Sequence, residues 1–311
     1  MFLFLLITLV SVSAMRVSQV RKLKAGKAPT YAAFSPDGRR IFVTNYASDE
    51  ILVIDTATKQ SKTRFYGGHE PVGIAVTPSG DKLLVTNLGN GLVKVIDAHS
   101  FRILDDIKVG GMPSNVAISP KGFLAFVTNY GRGKIGRVDF IDTATHEILG
   151  QVEVGVRPIA IAVSPLGDQI YVACGGSNDL YVIDTASRQV ITQLPVGLAP
   201  DGLAISPEGD LLYVANSGTD DLSVVDLIDL NETRRVRVGS KPFALTVGSD
   251  GSIFVVESGD NRLSIFSPSF EKITSVSVGK NPIDVKLSPD NRFAYVTVER
   301  DNRVVVYELT N

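Results

Sequence analysis

Within residues 202–226 the chain reads Gly202-Leu203-Ala204-Ile205-Ser206, then Pro207-Glu208-Gly209-Asp210, then Leu212-Tyr213-Val214-Ala215-Asn216. After a loop through Asp220 and Asp221 comes Leu222-Ser223-Val224-Val225-Asp226. β-Branched and aromatic residues gather in short runs, and turn residues separate the runs, so each run reads as a strand. A fourth run, Thr233 to Val238, ends at Gly239, and Pro242 begins the same order again.

Outward from this unit, a proline before an apolar run recurs at Pro29, Pro71, Pro113, Pro158, Pro200, Pro242 and Pro282, in steps of 42, 42, 45, 42, 42 and 40 residues. Seven units of this length without a helical period predict an all-β chain, a seven-bladed β-propeller of four-stranded antiparallel blades. The last unit stops after its third run, Val304-Val305-Val306-Tyr307-Glu308, whereas Val17 to Ala25 matches the fourth runs that precede the other prolines. The N-terminal strand is therefore expected to complete the seventh blade and close the ring, and residues 15–311 to form one domain.

Composition narrows the functional classes. Among 311 residues there are 31 Lys+Arg against 33 Asp+Glu, one Cys, three His and no Trp. A single cysteine excludes an internal disulfide framework. The absence of tryptophan excludes the tryptophan-aspartate type of propeller repeat. Balanced charge gives no general attraction to nucleic acid or an anionic membrane, and the loops lack an aromatic ladder for stacking single strands. The first stretch, MFLFLLITLVSVSA, is uncharged and apolar and closes on Val12-Ser13-Ala14, so residues 1–14 read as a secretory signal. The run is too short to span a bilayer, and no transmembrane segment is expected.

The motifs Phe42-Val43-Thr44-Asn45, Phe126-Val127-Thr128-Asn129 and Tyr295-Val296-Thr297 resemble the YVTN-repeat family of β-propellers, as do the Val-Ile-Asp tails at Asp55, Asp97 and Asp184. The resemblance covers about nine-tenths of the chain. It implies a seven-bladed propeller, often extracytoplasmic, of the kind found in surface-layer and periplasmic YncE-like proteins. It does not imply one function, because propellers serve many.

Seven equivalent positions give an internal comparison: a residue that recurs is architectural, and one that breaks the pattern needs another reason. The aspartates Asp55, Asp97, Asp142, Asp184 and Asp226 recur and are expected to bond backbone N–H groups of the turn that follows. Asp49, Asn178, Asp220, Asn261 and Asn302 recur as turn formers. His99 and His146 fall in loops between third and fourth strands and His69 in an interblade loop, so the histidines are not expected to converge. No haem-attachment C-x-x-C-H, H-E-x-x-H, G-x-S-x-G or phosphate-loop motif occurs. Cys174 and Glu257 replace the motif asparagine in two blades; Cys174 reads as a small buried hydrophobe, and Glu257 is the one candidate for a metal or lactonase-like site. Asn231-Glu232-Thr233 fits a glycosylation sequon.

The third unit holds three extra residues between Asn129 and Asp142, in a segment carrying Arg132, Lys134 and Arg137; Arg157 follows just before Pro158. Tyr31, Asn115, Asp201 and Asp284 follow their repeat prolines closely and differ from blade to blade. Together these residues are the candidate binding surface, on the face of the second-to-third strand loops and interblade proline loops. The expected function is that of an extracytoplasmic, monomeric binding or scaffolding module with no cofactor, whose partner is a protein or a small anion and not nucleic acid. The alternatives are a lactonase-like hydrolase, a periplasmic accessory of a quinone- or haem-dependent oxidoreductase, and a single-strand nucleic-acid binder.

Overall fold

The computed structural model describes residues 15–131 and 135–310, so the expected signal 1–14 lies outside the described residues, as do Arg132 and Lys134. Strand β1 (Arg16–Lys24) comes first, and blade one follows as β2 (Pro29–Phe34), β3 (Arg40–Asn45), β4 (Glu50–Asp55) and β5 (Gln60–Tyr66). Blade two is β6 (Pro71–Val76), β7 (Lys82–Asn87), β8 (Leu92–Asp97) and β9 (Ile103–Lys108). Blade three is β10 (Pro113–Ile118), β11 (Leu124–Asn129), β12 (Gly136–Asp142) and β13 (Ile148–Val154). Blade four is β14 (Pro158–Val163), β15 (Gln169–Cys174), β16 (Asp179–Asp184) and β17 (Gln189–Pro195). Blade five is β18 (Pro200–Ile205), β19 (Leu211–Asn216), β20 (Asp221–Asp226) and β21 (Asn231–Arg237). Blade six is β22 (Pro242–Val247), β23 (Ile253–Glu257), β24 (Arg262–Phe266) and β25 (Lys272–Ser277). Blade seven has β26 (Pro282–Leu287), β27 (Phe293–Val298) and β28 (Arg303–Thr310).

Each blade is an antiparallel sheet of four strands, and β1 completes the seventh in the order β1-β28-β27-β26. Every repeat proline is the first residue of an innermost strand, where a missing N–H costs least. The expected closure is present: Arg16 lies opposite Thr310 and Lys24 opposite Arg303. The single 3-10 turn, Tyr46–Ser48, is the one helical element among the described residues.

The core is divided among the seven blade-to-blade interfaces, because successive side chains of a strand point to opposite faces and both faces of every blade are covered. In β3, Ile41 and Val43 pack with Tyr295 and Val304 of blade seven, whereas Phe42 packs with Ile74 and Leu83 of blade two. This is why the second and third strands read as unbroken apolar runs. The motif threonines fasten neighbours near the axis: Thr44 donates to the Val72 carbonyl at 2.6 Å, Thr86 to Ser114 at 3.0 Å and Thr297 to Thr30 at 2.6 Å.

Turn chemistry follows the sequence closely. Asp49, Asn178, Asp220, Asn261 and Asn302 all have φ between 52° and 63°, the left-handed region that Asn and Asp tolerate best outside glycine. Asp55, Asp97, Asp142, Asp184 and Asp226 each accept a backbone N–H from the next turn, at Thr58, Ser100, Thr145, Ser187 and Asp229. The motif asparagine ties down the interblade loop: Asn45 accepts the Gly26 N–H and Asn129 that of Met112, each at 2.9 Å.

Candidate functional site

In the innermost strands the second residue after the repeat proline lines the central cavity in every blade but the second. Glycine or alanine stands there at Gly73, Ala160, Gly202 and Ala244, while Tyr31, Asn115 and Asp284 take the place in blades one, three and seven. Small residues leave a cavity of about 350 Å³, and Tyr31, Asn115, Asp201, Asp284 and Lys286 supply its polar lining. Lys286 stands two residues beyond Asp284, on the same side of β26.

Two ion pairs set the electrostatics. Asp201 accepts from the Arg157 guanidinium at 3.1 Å and from the Ser217 hydroxyl at 2.5 Å. Asp284 accepts from Lys286 Nζ and from the N–H of Ala32 in the next blade, each at 3.0 Å. The carboxylates are sunk, at 5% and 2% side-chain exposure, while their partners Arg157 and Lys286 stay open at 49% and 38%. The pairs are neutral in sum, and in each the exposed member is the cation, Lys286 within the cavity lining and Arg157 just before Pro158.

Burial pushes the Asp201 carboxyl above its ordinary range, against the opposing effects of Ser217 and Arg157. Burial, then the nearby Tyr130, Asp284 and Asp201, raises the Tyr31 phenol well above its usual value. Tyr130 is raised too, chiefly by burial, with Arg157 and Ser114 working in the other direction. Both phenols therefore stay protonated and can donate hydrogen bonds. Arg157 adopts φ 57°, as do its counterparts Ala28, Glu70, Ala199, Lys241 and Asn281 within a few degrees. The loop backbone is thus architectural, and the guanidinium is what distinguishes this blade boundary.

Four of the sequence-derived candidates, Tyr31, Asn115, Asp201 and Asp284, line this cavity, and a fifth, Arg157, adjoins it through its bond to Asp201. Arg137 is placed differently. Its Nε donates to Asp139 at 3.0 Å and its Nη2 to the Val109 carbonyl at 2.6 Å, so it neutralises a carboxylate that has no exposure. Lys286, Tyr130 and Ser217 are members that sequence reasoning missed. Glu257 is wholly buried and takes over the role of the motif asparagine, accepting the Gly239 N–H at 2.8 Å and the Ser264 hydroxyl at 2.7 Å. Among the described residues no group of three or more His, Cys, Asp or Glu is arranged to hold a metal ion.

Side chains able to ligate a haem iron, His, Cys, Met or Tyr, are distributed unfavourably around this channel. His69 is exposed beside Asp49, and His146 contacts Asp105 and Lys82 on the far face. Cys174 is buried within blade four, its thiol held up by desolvation first and then by Asp179. Met112 is exposed in an interblade loop, and Met15 packs against the blade-seven core. Tyr31 lines the cavity with its phenol raised by burial first, and the phenol of Tyr130 is raised by the same cause. His99 lies apart from the channel, beside Asp37 and Arg40, so among the described residues no His, Cys or Met lines the cavity to serve a haem iron.

A chain of hydrazine synthase from Kuenenia stuttgartiensis shares the fold, with a TM-score of 0.81 at 22% identity over 91% of this chain and 96% of that one. No curated protein sequence matches. The sequence profile described as Cytochrome D1 heme domain matches residues 6–209, about two-thirds of the chain. The match runs through the first four blades and into the fifth of the closed propeller, and the chain belongs to the Cytochrome D1 heme domain family.

Proposed function

We propose that this protein is an extracytoplasmic accessory propeller of a haem-dependent oxidoreductase, which binds a small anion at its channel mouth and leaves the haem to a partner. The carrying observation is the asymmetry of the two ion pairs, with buried Asp201 and Asp284 behind the exposed cations Arg157 and Lys286. Protonated Tyr31 adds a hydrogen-bond donor, and a carboxylate or an inorganic oxyanion suits a guanidinium in such a setting. Membership of a family named for its haem supports the redox context. The unsuitable donor set supports the accessory role. The Val-Thr-Asn repeats support the finer assignment to YVTN-type propellers, and the apolar leader supports export.

Two titrations test the reading. Calorimetry with acetate and sulfate as probes should show saturable binding to the full chain, weakened at least tenfold in Arg157→Gln. Haem added to the same protein should give no saturable change in its Soret band. Failure of both anions to bind would remove the anion site, and a shifted Soret band at one equivalent would place the haem on this chain. For the accessory role, the tagged chain isolated from its native host should bring down a protein that stains for haem; isolation free of any haem protein would reject it.

A further inference from the structure

The seven outermost strands are equivalent edges, each with one row of backbone N–H and C=O groups facing outward. Exposed edges invite pairing with another strand, and natural sheets discourage it with charged side chains. Six of the seven carry such charges: Lys62 in β5, Asp105 in β9, Glu153 in β13, Arg234 in β21, Lys272 in β25 and Arg21 in β1. The exception is β17, Gln189-Val190-Ile191-Thr192-Gln193-Leu194-Pro195.

The side chains of β17 match this lack of protection. Val190 and Ile191 are 39% and 44% exposed, and Ile148 of the neighbouring β13 adds a third exposed apolar residue at 37%. The two strands are held together where Arg188 donates to the Leu149 carbonyl at 2.7 Å. Pro195 lacks an N–H and limits any pairing to the six residues before it.

We infer that β17 pairs antiparallel with β17 of a second copy of this chain, joining two blades edge to edge about a two-fold axis. The occupant follows from charge. In an isologous contact each strand meets itself reversed, and strands such as β21 or β1 would bring like charges together. β17 brings none: centred on Thr192, the register sets threonine against threonine and Val190 against Leu194. The contact is small, so association should depend on concentration. The channel mouths remain open on both copies, and the inference is independent of the anion site.

Sedimentation and light scattering of the purified full chain should show the mass moving from one chain to two as concentration rises. Ile191→Lys should hold it at one chain, and Val190→Lys should do the same with an unchanged melting temperature. Leu104→Lys on β9, an equally exposed position on an edge already charged, should leave the dimer intact. Amide exchange at Gln189–Leu194 should be slower in the wild type than in Ile191→Lys. A wild-type mass of one chain at the highest concentration reached, or a dimer untouched by both β17 variants, would overturn the pairing.

Discussion

Glu257 accepts the Gly239 backbone N–H through Oε1 at 2.8 Å, as Asn45 accepts that of Gly26 at 2.9 Å. A longer side chain in blade six performs the same fastening, with its second oxygen taken by Ser264. Glu257→Ala should therefore cost about 1–3 kcal/mol in urea denaturation, the usual penalty for leaving buried polar partners unmet. Glu257→Gln should recover much of it. Calcium should leave the melting temperature of the wild type where it was, and a calcium-dependent rise lost in Glu257→Ala would return the residue to metal binding.

The ring depends on its first strand. Beyond the β1–β28 ladder, Ala25 donates to the Asn302 carbonyl and Ala28 to the Asn302 side chain, each at 2.9 Å. A chain beginning at Pro29 should aggregate or melt about 10 °C or more below one beginning at Met15, given the few degrees that each kcal/mol represents in a domain of this size. Leu23→Ala, at a buried position of β1, should cost about 2 kcal/mol or more. Equal melting of the two chains would mean that the closing strand contributes nothing.

Arg137 and Asp139 form a pair whose acid is fully buried. Removing the arginine alone strands that carboxyl, already pushed upward by desolvation. Arg137→Ala should destabilise the fold by about 3 kcal/mol. Adding Asp139→Asn should restore part of the loss, and a neutral Arg137→Ala would show that water reaches the site.

Asp201 sets the pH dependence of the mouth. Its raised pKa means that Asp201 keeps its proton to higher pH in the folded protein than in the unfolded chain, so the stability this group contributes is present at low pH and lost as pH rises through the raised value. As pH falls through the same window, Arg157 loses its counter-charge and sulfate affinity should rise. Asp201→Asn should bind sulfate with little pH dependence across that window. Identical pH profiles for the wild type and Asp201→Asn, measured by calorimetry, would detach the effect from this carboxyl.

The fold was legible because the architecture repeats its solutions. Pro29 and its six counterparts mark where each innermost strand starts, and Asp49 and Asp55 recur at the turns that need them. Four channel residues, Tyr31, Asn115, Asp201 and Asp284, were legible by contrast, as departures from small or apolar equivalents. Lys286 was not, since its place follows only once the side-chain alternation of β26 is known to aim that position at the axis. Tyr130 and Ser217 sit in loops after β11 and β19, where no period fixes direction. Arg137 misled because a cation in an insertion looks like surface charge, and only the register of β12 reveals that Asp139 lies within its reach.

The pairing of Arg16 with Thr310 has a geometric corollary. β1 climbs from the floor of the disc toward its proline loops, while β28 descends from those loops to the floor. Entry and exit of the folded chain are therefore neighbours on the floor, and a tether at either terminus would hold the propeller like a bowl on its base, with the proline-loop opening of the channel, beside Arg157, turned upward. An affinity handle added before Met15 or after Asn311 should leave that opening clear, whereas an immobilisation through the lysines of the proline loops, Lys27 or Lys280, would turn the bowl upside down.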